Sequence, residues 1–90
     1  MKQQGPWHGE LDTGIVRMRL AFRLDRGAQV VHLQTRAFGE LTLPVRHEQG
    51  RIAFAAPQAE IALELTQDAT GARLTGFCRH LAARYPISFQ

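Results

Sequence analysis

The sequence predicts an all-β domain, a small antiparallel meander barrel or half-barrel of about eight short strands, lipocalin-like in architecture. Two observations carry this: apolar and polar residues alternate with period two along most of the chain, and turn residues recur at intervals of roughly 8 to 12. A single domain spanning residues 1–90 follows from the length.

The elements follow in order. Residues 7–12 open the sheet. In residues 15–25, Val16, Met18, Leu20, Phe22 and Leu24 share one face, while Arg17, Arg19, Ala21 and Arg23 share the other. A helix would scatter those arginines around its circumference; a strand aligns them. After a turn at Arg26-Gly27, residues 28–36 set Val31, Leu33 and Thr35 against Val30, His32 and Gln34. Residues 38–46 place Leu41, Leu43 and Val45 together. A Gln49-Gly50 turn leads to residues 51–56, where Ile52 and Phe54 oppose alanines.

Residues 60–67 alternate Ile61, Leu63 and Leu65 with Glu60, Ala62 and Glu64. The hairpin loop Asp68-Ala69-Thr70-Gly71 precedes a strand at 72–80, and Tyr85, Ile87 and Phe89 stay in phase in a last strand, 85–90. Helical spacing of Cys78, Leu81, Ala82 and Tyr85 competes over 76–84, but Gly71 and Gly76 favour strand followed by loop. Pro44 and Pro86 require positions where no ladder amide is needed.

Strand motifs carry a family resemblance. Gly5-Pro6-Trp7-His8-Gly9-Glu10-Leu11, the strand 16–24, Leu43-Pro44-Val45, Gly50-Arg51-Ile52-Ala53-Phe54, Leu74-Thr75-Gly76 and Pro86-Ile87-Ser88-Phe89 occur in that order. Together they resemble the lipocalin-like β-barrel accessory domain of bacterial serine hydrolases, both α/β-hydrolases and β-lactamase-like peptidases. The resemblance implies an accessory or binding barrel, here without an adjoining hydrolase domain. Gln58-Ala59-Glu60-Ile61 replaces the glycine-flanked middle strand of that pattern.

Composition narrows the function classes. The chain is 44% hydrophobic and 21% charged, which is globular. Eleven cations against eight anions give +3, and all but Lys2 of the cations are arginine. One cysteine, Cys78, excludes an internal disulfide. No apolar run spans a bilayer, and MKQQGPWHGE lacks the apolar segment of a signal peptide; a cytoplasmic location is the expectation.

Catalytic chemistry is not expected. Ser88 lies outside any G-x-S-x-G elbow and Cys78 is in phase with Leu74 and Gly76, as a buried small hydrophobe would be. His8 and Glu10, two apart on one strand, have the donors of an open zinc site but read better as solvated neighbours. Neither a metal nor a cofactor is expected.

The stripe Arg17, Arg19, Arg23 projects guanidiniums about 7 Å apart, a spacing that phosphates share. It lacks the interleaved aromatics of single-strand binders, so nucleic acid is disfavoured and pairing with Glu10, Glu60 or Glu64 is expected instead. Trp7, Met18, Leu20, Phe22, Leu33, Phe54 and Leu63 fill the barrel or, were it open, line a pocket for a small apolar ligand. Trp7 is expected to plug one end. The thin core of a short chain and the outward alanines Ala53, Ala55 and Ala62 lead to the expectation of a homodimer or a protein partner. The reading is a non-enzymatic binding or interaction module. Alternatives are a barrel that binds or cyclises an apolar metabolite and an arginine-stripe nucleic-acid binder.

Overall fold

A computed structural model describes residues 6–25, 27–36 and 38–90. Eight strands form one closed antiparallel barrel in chain order: β1 (Trp7–Asp12), β2 (Arg17–Asp25), β3 (Val30–Thr35), β4 (Gly39–Glu48), β5 (Arg51–Ala56), β6 (Ile61–Gln67), β7 (Leu74–His80) and β8 (Ala83–Phe89). The ring is closed, which decides between barrel and half-barrel. Gly5 of the opening motif and Arg26 of the expected turn lie outside the described residues.

Alternation builds the interior as the sequence requires. Trp7 and Leu11 of β1, Leu20, Phe22 and Leu24 of β2, and Val31 and Leu33 of β3 are buried. So are Ile52 and Phe54, Ile61, Leu63 and Leu65, Leu74 and Cys78, and Ile87 and Phe89. Phe22 is the hub: its ring centroid lies 4.9 Å from Phe89, 5.2 Å from Phe54 and 6.5 Å from Trp7. Outward positions carry Arg17, Arg19, Arg23, Arg46, Arg51 and Glu64. This is the reverse of the apolar-out pattern of a barrel that spans a membrane. Among the described residues, no helix is long and apolar enough to cross one.

The strand limits differ from expectation where side chains capture backbone amides. Expected from residue 15, β2 starts at Arg17. The Thr13 hydroxyl accepts from the Ile15 and Val16 amides, and the Asp12 carboxylate accepts from Gly14, folding 13–16 into a turn. Val16, expected in phase with the core, is consequently half exposed. Asp68 likewise accepts from the Ala72 and Arg73 amides, delaying β7 to Leu74. Pro57–Ala59 form a 3-10 turn absent from the sequence reading. A tight turn at Leu81-Ala82 starts β8 two residues early, at Ala83.

Both strand prolines sit where a ladder stops. The Val45 amide donates to Gln29 on the β3 side, so the neighbouring Pro44 nitrogen faces β5. There the register ends at Val45↔Phe54. In β8, the Gln90 amide donates to His8 of β1, which points the Pro86 nitrogen toward β1 as well. That seam holds one register pair, Gly9↔Phe89. A Cβ on Gly9 would lie 2.6 Å from the Ser88 carbonyl and 2.7 Å from the Phe89 ring. Glycine is what lets the ring close so tightly.

Candidate functional site

Topology separates the molecule into a packed interior, an outer face and two ends. Trp7, Phe22 and Leu33 are sealed in the interior, each at most 1% exposed. Trp7 packs flat against Phe22, across from it in register. Its indole nitrogen is a buried side-chain donor without a partner among the described residues. Met18 and Leu20 reach the rim, where with Ile61, Phe38 and His80 they border a hollow of about 660 Å³ at one end. Phe54 and Leu63 border a second depression, on the outer face.

That outer groove, about 740 Å³, has mostly apolar walls. Its position follows from the sequence. Ala53, Ala55 and Ala62 occupy outward positions of β5 and β6, with Ala55 directly opposite Ala62, so the sheet surface there is almost bare backbone. The β4 ladder lapses at Pro44, which borders the opening with Pro57. Phe77, 43% exposed, forms one wall, and the Arg84 guanidinium lies over its ring at 4.4 Å. Arg46 and Arg79 complete a cationic margin against one acid, Glu64.

Arginine stripe and groove occupy different sectors. Arg17, Arg19 and Arg23 all face outward on β2. Arg17 pairs with Asp12 at 3.4 Å and Arg23 approaches Glu40 at 3.9 Å, while Glu10 stands opposite Arg19. Of the acids expected as partners, Glu64 lies instead at the groove and Glu60 in the β5–β6 connection. Exposed pairs of this kind contribute about 0–1 kcal/mol. The stripe therefore keeps a paired, solvated face, and a polar depression beside Arg19 is lined by no Phe, Tyr or Trp side chain.

The nucleophile candidates are placed apart. Ser88 faces solvent, whereas Cys78 is fully buried. Burial pushes its thiol up to about 11, which keeps it protonated and unreactive at neutral pH. His8 and Glu10 project outward from β1, and no group of three or more His, Cys, Asp or Glu side chains gathers among the described residues.

Sequence reasoning noted the three alanines but missed Arg46, Phe77, Arg79 and Arg84. Their signal was available in the alternation: all four sit at outward positions, Arg46, Phe77 and Arg79 beside an alanine or glutamate in the pairs Arg46↔Ala53, Glu64↔Phe77 and Ala62↔Arg79, and Arg84 opposite Arg79. No family model, curated protein or solved structure matches this chain.

Proposed function

We propose that this protein is a non-catalytic binding barrel whose ligand is a small apolar molecule with one anionic group, held in the outer groove. The observation that carries this is the pairing of a bare alanine floor with three arginines. Apolar surface next to Phe77 takes a hydrocarbon body, and Arg79 or Arg84 takes a carboxylate or phosphate. A packed interior supports an outer rather than an inner site. The accessory-domain resemblance is compatible with such a role and rests on strand motifs alone.

Titration calorimetry with dodecanoate and with dodecanol tests it. Dodecanoate should bind at least tenfold more tightly, and Ala62→Arg, which fills the floor from an outward position, should abolish binding while leaving the urea midpoint unchanged. Equal affinity for both compounds, or full binding by the variant, would refute the groove. A second reading is a homodimer through the same face, because alanines let two sheets approach closely and Glu64 of one copy would meet Arg79 of the other. Three arginines per face oppose it. Light scattering would reveal it as twice the 10.1 kDa chain mass.

A further inference from the structure

Strand register on the outer face sets two arginines against each other. From β5 to β8, one row of side chains runs through the pairs Ala55↔Ala62, Ala62↔Arg79 and Arg79↔Arg84. Directly opposite residues on an antiparallel pair hold their Cβ atoms about 4.5–5.5 Å apart, and like charges placed so destabilise the sheet. Both arginines are exposed and both border the outer groove. The row therefore passes from bare alanine straight to a doubled cation.

The nearby acids leave that doubled charge in place. Glu64 stands opposite Phe77, diagonally from Arg79, and Glu60 lies in the β5–β6 connection, two residues before Ala62. Among the described residues the two ion pairs are Arg17–Asp12 and Arg23–Glu40, both on the wall formed by β1 to β4. Arg46 faces Ala53, and one row farther Glu48 opposes Arg51 as a matched pair. Arg46, Arg79 and Arg84 thus meet Glu60 and Glu64, a modest excess of positive charge. What distinguishes β7–β8 is placement: two guanidiniums side by side, neither held by a carboxylate.

Phe77 fixes one of them. The Arg84 guanidinium lies over its ring at 4.4 Å, which occupies a face of the cation and leaves its N–H edge free to donate. Such an edge matches two acceptor oxygens at once. A carboxylate has two oxygens, which a single fork occupies. A phosphate monoester has three terminal oxygens and about −1.5 to −2 charges at neutral pH, so it can satisfy both forks and offset the opposed cations. We infer that the anionic group of the groove's ligand is a phosphate monoester clamped between Arg79 and Arg84, with its hydrocarbon chain along Ala55 and Ala62. The inference rests on the groove binding an apolar anion, as proposed above.

Titration calorimetry with dodecyl phosphate, dodecanoate, dodecanol and inorganic phosphate tests it. Dodecyl phosphate should bind at least tenfold more tightly than dodecanoate, and at least a hundredfold more tightly than inorganic phosphate. Arg79→Gln and Arg84→Gln should each lower dodecyl phosphate affinity at least tenfold. Dodecanoate affinity should change less than threefold, because the remaining fork still takes a carboxylate. Should Arg84→Gln fail to fold by circular dichroism once its contact with Phe77 is lost, Arg84→Lys, which keeps a cation at that position, should lower dodecyl phosphate affinity at least threefold. Dodecyl phosphate that does not outbind dodecanoate, while dodecanoate still outbinds dodecanol, overturns the clamp and leaves the groove standing. Dodecanoate that does not outbind dodecanol, or that binds fully to Ala62→Arg, brings down the groove and the clamp with it. Equal affinity for inorganic and dodecyl phosphate, or single variants that keep the full preference for phosphate, also overturns the inference.

Discussion

The two ends of this barrel are closed by connections of similar length that present different side chains to solvent. At the end made by β2–β3, β4–β5 and β6–β7, the turns consist of Gly27-Ala28-Gln29, Gln49-Gly50 and the Asp68–Arg73 loop. Positive φ angles fall there on Gln29, Gln49, Gly50 and Gly71; the glycines adopt them freely, the glutamines at the cost that a side chain bears in the left-handed region. The other end shows Ile15, Phe38 and Leu81 to solvent and places a leucine in the left-handed region. Left-handed backbone occurs at both ends, on Gln29 and Gln49 at one and on Glu60 and Leu81 at the other; what separates the ends is the hydrocarbon that one of them shows to solvent.

The largest expected effect removes the difference by damaging what both ends share. Phe22 contacts Trp7, Phe54 and Phe89. Phe22→Ala should cost roughly 3–5 kcal/mol in urea melts, while Arg19→Ala, outward on the same strand, should cost under about 1 kcal/mol. Hydrogen exchange at both ends should accelerate together. Acceleration confined to one end would show that the ends do not rest on a common core.

Exchanging the tips is the sharper test. Gly50→Leu at the polar end puts a side chain at φ 76 and should cost about 1–2 kcal/mol. Leu81→Gly at the apolar end should stabilise by up to about 1 kcal/mol through the same preference. A destabilised Leu81→Gly would mean that this leucine supports the fold.

The smallest effect is electrostatic and belongs to the polar end. Slight desolvation pushes the Asp68 carboxyl up, but hydrogen bonds from Thr70, Arg73, Gly71 and Ala72 outweigh it and hold the group below its ordinary value. A depressed folded value means that the contribution is complete above the ordinary carboxylate range and disappears as pH falls through the folded value. Wild type should therefore lose stability relative to Asp68→Asn on acidification, measured by thermal melts between neutrality and strong acid. Parallel pH profiles would show that the loop does not depend on the ionised carboxylate.

Strand faces were legible because a two-residue period leaves no choice of side: Leu20, Phe22, Leu33 and Leu63 are all inside, as their spacing demands. Turn details were less legible. Nothing in the period of Thr13-Gly14-Ile15-Val16 reveals that a threonine hydroxyl will take two amides and end the strand early. The groove was half legible. Ala53, Ala55 and Ala62 signalled a bare surface, but which strands border it depends on register, and register brought Phe77 and Arg79 beside them. The apolar end was hidden for a different reason. Ile15, Phe38 and Leu81 are far apart in sequence and look like ordinary strand residues until the ring places their turns together.

The narrow seam between β1 and β8 has a consequence for how the chain assembles. Every other pairing joins strands that are consecutive in sequence, so hairpins can zip up one after another by short loop closures. Joining Gly9 to Phe89 instead closes nearly the whole chain into one loop, with the large entropic cost that such a distant encounter carries and few ladder bonds to offset it. Ring closure is thus the natural late step of folding and the first place for the wall to part. The same geometry leaves His8 and Gln90 hydrogen-bonded to each other, so a short linker across that seam, with new termini cut at the Gln49-Gly50 turn, would yield a circular permutant that turns the costliest contact into a local one.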